Sequence, residues 1–303
     1  MPHTGSAVLE YAARKQNPST KMNGETRRDP ERVELPPDEG PAPGGVGATV
    51  AHRLERSIER LEDTSLRPAW VVHEVRKDLK RVRALLRLSG QVLHTRRLEK
   101  SCAAAARELS SLRDAAAVRE TVARLKQRAD ARELEALEAL DAWLEAERAA
   151  GGPGPGLPRP VAGRVSTALG RVLEEVRALP FDELDDAALD EGLSEAWSDT
   201  ANAFRRLWKD PVLPRFHDFR KAVKRELHQR ELSGRPLDRM ERATLKKLAD
   251  VLGELQDLDV LRGILRDAGR WRGPVKRLVK RTMRELKARA LRLGEGRYRE
   301  NVA

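Results

Sequence analysis

An all-α fold is predicted for this 303-residue chain by three features. Ala, Leu, Arg and Glu dominate it, and unbranched side chains lose little rotamer freedom in a helix. Aromatic residues are only 4% of the chain, and no β-branched run alternates in polarity, so nothing in it asks for a sheet. From about Ala48 onward, apolar residues recur at helical spacing in segments parted by Pro- and Gly-rich breaks.

Residues 1–47 read as a disordered tail. Its stretch GETRRDPERVELPPDEGPAPGGVG is rich in Pro, Gly and charge and offers little apolar surface to offset ordering entropy. The body, 48–295, is predicted to hold helices at about 48–63, 67–90, 94–127, 131–149, 161–178, 185–209, 213–233, 238–268 and 271–294. Pro68 suits a helix's first turn, whereas DPVLP (210–214) and SGRP (233–236) interrupt one. GGPGPGLPRP (151–160) is the strongest breaker and reads as a loop inside the first half of the body.

Several classes are excluded early. The single Cys102 leaves no intramolecular disulfide and no cysteine-based zinc site, and fits a reducing compartment. No apolar stretch approaches the ~20 residues of a membrane span, and the N-terminus lacks a secretory apolar core. The expectation is a cytoplasmic protein with no membrane partner.

The net charge is +11 and it is concentrated. Residues 73–87 carry six Lys/Arg against two acids, 217–231 five against three, and 274–292 eight against one. A focused positive field points to a polyanionic partner.

Two of these windows hold one motif. HEVRKDLKR (73–81) and HDFRKAVKR (217–225) place His, Arg, Lys, Lys, Arg at the same spacing. A second landmark follows each: LSSLRDAAAVR (109–119) matches LGELQDLDVLR (252–262), with Asp114 and Asp257 in step. The register between landmarks differs by one residue, so the body reads as two related helical bundles, 48–180 and 185–295, packed together.

On a helix, Arg76, Lys77, Lys80, Arg81, Arg83 and Arg87 fall within about 80° of His73, while Val75, Leu79, Val82 and Leu86 lie opposite. Arg220, Lys221, Lys224, Arg225 and His228 gather likewise around His217. Like charges three and four apart repel by ~0.2–0.5 kcal/mol per pair, so an ordinary solvated face mixes signs. Glu is plentiful elsewhere, yet Glu74, Asp78, Asp218 and Glu226 lie toward the edges of these faces or beyond. A registered pair of such faces therefore reads as a ligand grip. Lys276, Lys280, Arg284 and Lys287 line one flank of the last basic helix, and the first three are expected to wall the same groove.

The histidines do not read as metal ligands. HxxxH is absent, and no carboxylate stands at ligand spacing within either helix, so no metal and no cofactor are expected. Beside phosphate, His is better placed as an oxyanion donor. Asp257 and Asp259 point about 200° apart on a helix. Asp114 and Asp257 are read as orienting a neighbouring cation or histidine.

Twin H-x-x-R-K-x-x-K-R helices, each followed about 40 residues later by L-x-x-L-x-D in a basic all-helical chain, resemble the CHAD domain (conserved histidine α-helical domain) over about 48–295. The resemblance implies two four-helix bundles related by pseudo-twofold symmetry, with a basic groove between them that binds inorganic polyphosphate. It implies His73, Arg76, Lys77, Lys80 and Arg81 with His217, Arg220, Lys221, Lys224 and Arg225 as ligands, and location at polyphosphate granules. The sequence departs from the family pattern where RDAAAVR is poorer than QDLDVLR.

Two other classes compete. Non-specific nucleic-acid binding fits the charge, but Trp70, Trp143, Trp197, Trp208 and Trp271 all sit outside the basic faces, so single-strand stacking is poorly supported. An enzyme lacks its parts: there is no P-loop, no paired-carboxylate metal site and no general-base partner. The expectation is binding without catalysis.

Overall fold

A computed structural model describes residues 40–109, 114–150, 156–235 and 237–298. Among them the chain is all-α, with eleven α-helices and one 3-10 turn, and no strands. The helices are α1 (Gly45–Glu62), α2 (Pro68–Leu88), α3 (Gly90–Leu93), α4 (Arg96–Glu108), α5 (Asp114–Lys126), α6 (Ala131–Ala150), α7 (Arg159–Arg177), α8 (Asp186–Lys209), α9 (Leu213–Leu232), α10 (Arg239–Asp267) and α11 (Gly273–Tyr298). Of the expected tail, 1–39 lie outside the described residues, and α1 begins three residues before Ala48.

Local chemistry explains the boundaries. Asp185 and Asp238 cap α8 and α10, their carboxylates accepting from Ala188 N and from Met240 N and Glu241 N. Pro68 opens α2, where its missing N–H costs nothing. After α9 the chain turns through Gly234 at φ 78°, a left-handed conformation that glycine adopts without a Cβ clash.

One expectation is corrected. The reading of a single helix over 94–127 gives way to α4 and α5, which flank residues 110–113 outside the description. The chain changes core there: Cys102 and Ala105 of α4 bury in one hydrophobic cluster, Val118 and Val122 of α5 in another. A helix ending in one core frees the next to pack in the other.

The first core joins α1, α2, α4 and α7 around Leu54, Leu79, Leu85 and Leu169. The second joins α8 to α11, and the pair α5–α6 packs with it although it belongs to the first sequence repeat. Phe204, Phe219 and Tyr298 pack there with centroids 5.3–6.0 Å apart, each fully buried and each contributing ~1.5–3 kcal/mol by burial. Helix α8 passes between the cores, burying Leu189 and Leu193 in the first and Phe204 and Leu207 in the second. Gly192 permits this passage, because a Cβ there would stand 2.9 Å from the Leu88 carbonyl oxygen.

The two basic helices, α2 and α9, pack against each other where the cores meet. Gln229 Nε2 donates to the Ala84 carbonyl at 2.9 Å in a buried bond across that contact.

Candidate polyanion-binding groove

Buried ion clusters hold the back of each basic helix. Asp78, 3% exposed, accepts from Arg53 Nη1 at 2.8 Å and Arg60 Nη1 at 2.6 Å. On α9, fully buried Glu226 accepts from Arg297 Nη2 at 2.9 Å and the Tyr298 hydroxyl at 2.8 Å. Burial and the adjoining Glu226 charge push the Tyr298 phenol well above its ordinary range. Asp78 and Glu226, read from sequence as lying off the basic faces, are thus structural anchors. They set the roll of α2 and α9, which turns the remaining cations outward.

The front of the helices forms a groove of about 620 Å³. Helix α2 supplies His73, Arg76, Lys77, Lys80 and Arg81, and α9 supplies Arg220, Lys224 and His228. Helices α5 and α10 complete the walls with Thr121, Asp250, Gln256 and Asp257. A second hollow of about 320 Å³ shares Lys80, Arg220, Lys224 and His228 and adds Arg83, Lys221 and Arg225. The two hollows are one continuous cationic path across the α2–α9 contact.

Its cations differ in freedom. Arg76 Nη1 donates to the Ala106 carbonyl at 2.6 Å, so this residue also ties α2 to α4. Lys77 Nζ lies 3.2 Å from Glu74 Oε2. Arg81 is only 6% exposed, with Nη1 3.9 Å from Asp78. Arg83 pairs with Glu99 at 3.4 Å, and exposed Lys221 with Asp218 at 3.4 Å. Asp199 accepts from Arg87 Nη2 at 3.1 Å and Arg225 Nη1 at 3.0 Å, bridging the basic helices. Burial lowers the Arg225 pKa, the Arg87 cation lowers it further, and Asp199 opposes both.

The histidines are not equivalent. His217 Nε2 lies 3.0 Å from Asp259 Oδ2, and Arg262 Nη2 sits 2.5 Å from the other oxygen. His73 Nε2 lies 3.8 Å from Glu74 and its side chain is 48% exposed, against 24% for His217. The sequence register explains this, since alanine stands at 116 where the second copy has Asp259. His73 lines the groove; His217 stands at its edge, outside both hollows. Asp257, read as an orienting carboxylate, accepts from Arg124 Nη2 of α5 at 2.8 Å, while the carboxylate that holds the histidine is Asp259. The Asp114 side chain lies outside the description.

Lys276, Lys280 and Arg284, expected along this groove, line a separate cavity between α10 and α11. It shares no lining residue with either hollow of the groove. Arg124, Thr121, Asp199 and Asp259 were not singled out as contributors, because contacts between helices far apart in sequence position them. Among the described residues, no group of three or more His, Cys, Asp or Glu could hold a metal ion. No described helix is long and apolar enough to cross a membrane.

The model of the CHAD domain matches residues 48–266. The chain belongs to the CHAD domain family. Its fold is similar to the crystal structure of the CHAD domain from the plant Ricinus communis, with a TM-score of 0.54 at 21% identity, covering 91% of this chain and 97% of that one. At that identity the likeness concerns the fold. No curated protein matches the chain. The matched region ends at 266, so the CHAD match contains α10 almost entirely and leaves α11 outside it.

Proposed function

We propose that this CHAD chain binds inorganic polyphosphate, without turning it over, along the groove between α2 and α9. One observation carries the reading: two identical motifs 144 positions apart contribute His73, Arg76, Lys77, Lys80, Arg220 and Lys224 to a single open groove. Polyphosphate is a flexible rod of closely spaced charges without bases. A groove suited to it needs cations in series and needs no stacking surface, and no tryptophan lines this one. Arg forks can bind two oxygens while Lys acts as a mobile point charge, which tolerates a repeating polymer in any register. Counterion release then supplies much of the affinity, as it does for nucleic acids. Such binding would bring the protein to polyphosphate granules in the cytoplasm.

Calorimetric titration of the full chain with long-chain polyphosphate at two salt concentrations tests this, with duplex DNA as comparator. Expected are salt-sensitive binding, strong preference for polyphosphate, and loss of affinity in Lys80→Gln/Lys224→Gln, whose positions line both hollows. Equal affinity for DNA would reduce the groove to a general polyanion grip. Orthophosphate release that disappears in His73→Ala would make the protein an enzyme.

A further inference from the structure

The cavity between α10 and α11 has about 380 Å³ and a lining in which every charged side chain is a cation. Arg266, Lys276, Lys280 and Arg284 make no ion pair among the described residues. That is unusual in a chain whose groove cations mostly have carboxylates nearby. Burial, reinforced by the Arg262 cation and opposed by Asp259, lowers the Lys287 pKa. Such a cluster is electrostatically unfavourable until an anion enters it.

The cavity is next to the groove on two helices. On α9, Leu213 lines the cavity and Arg220 the groove, seven residues or about 10 Å along the axis. On α10, Val260 lines the groove and Arg262 the cavity. Between them stands the motif histidine, through His217–Asp259–Arg262 at 3.0 and 2.5 Å. Asp259 is therefore already held by two basic partners.

We infer that the α10–α11 cavity is a second phosphate-binding station, reached by a polyphosphate chain that leaves the groove past His217, and that it gives the protein its preference for long chains. The inference rests on the polyphosphate reading of the groove. A chain too short to span about 10 Å occupies one station only, whereas a longer one binds the second intramolecularly, at high effective concentration.

The test compares inorganic tripolyphosphate with long-chain polyphosphate on the full chain, by calorimetry. Lys276→Gln/Lys280→Gln/Arg284→Gln removes the station. Lys100→Gln/Arg107→Gln/Arg132→Gln removes the same charge from exposed positions that line neither cavity. The wild type should prefer the long chain by about 100-fold or more, the lower end of linked binding. The station variant should lose most of that preference, and the control should keep it. If the station variant fails to fold, Lys276→Gln/Arg266→Gln serves in its place, judged by the same ratio. An unchanged ratio, with binding still lost in Lys80→Gln/Lys224→Gln, would overturn the second station and leave the groove standing. Long-chain binding indifferent to both the groove and station variants would overturn the polyphosphate reading itself.

Discussion

Gln229 reaches from α9 to the backbone of α2, its Nε2 donating to the Ala84 carbonyl across 2.9 Å. Both residues are buried, and both are sequence neighbours of groove residues, Arg83 on one helix and His228 on the other. A single buried bond thus sets how closely the two halves of the groove approach. Gln229→Leu should cost about 1 kcal/mol in chemical denaturation, as loss of one such bond does. Polyphosphate affinity should fall severalfold in the same variant, although no cation has been removed.

Asp78 is the anchor of the first basic helix. Asp78→Asn removes the buried carboxylate charge to which Arg53 and Arg60 both donate. The expected loss is about 3–5 kcal/mol of stability, the usual result of breaking one side of a buried ionic cluster. Denaturant melts would show this as a lower midpoint with an unchanged slope.

Asp199 works against a bound polyanion. Its carboxylate neutralises Arg87 and Arg225 across the α2–α9 contact. Asp199→Asn should therefore strengthen polyphosphate binding at low salt by about 1 kcal/mol, roughly fivefold, and steepen its salt dependence. Titration at two ionic strengths reads both effects.

Glu133 joins the α5–α6 pair to α11, accepting from Arg281 Nη1 at 2.9 Å and Nη2 at 2.8 Å. Those hydrogen bonds hold its carboxyl below the ordinary glutamate range. The folded protein thus takes up this proton less readily than the unfolded chain. Its stabilising contribution is complete above the unfolded pKa of about 4.3 and disappears as pH falls through the lower folded value. Glu133→Gln should be less stable at neutral pH, and the difference from wild type should shrink on acidification in pH-dependent melts.

Cys102 is fully buried, and burial pushes its thiol up to about 12. Iodoacetamide at pH 8 should leave it untouched in the native protein and modify it only as the first bundle unfolds. Mass spectrometry across a denaturant series checks this.

Much of the fold was legible in the chain because it depends on local rules. Helical composition, Pro68 at a helix start and the break at SGRP (233–236) act within a few residues of one another. The twin motif was legible for the same reason, since a helix puts His73, Arg76, Lys77 and Lys80 on one face whatever surrounds it. The sign and concentration of the charge were likewise present in the residues alone.

Tertiary structure decided what distance in sequence conceals. It assigned α5 and α6 to the second core, set Asp259 against His217, and turned Asp78 and Glu226 inward. It also separated Lys276, Lys280 and Arg284 from the groove they were expected to wall. The physical reason is common to all of these. A side chain's partner across a helix–helix contact depends on how two whole helices roll and cross, and that is settled by the packing of buried residues such as Leu79, Phe219 and Gln229 rather than by the spacing of the charged ones.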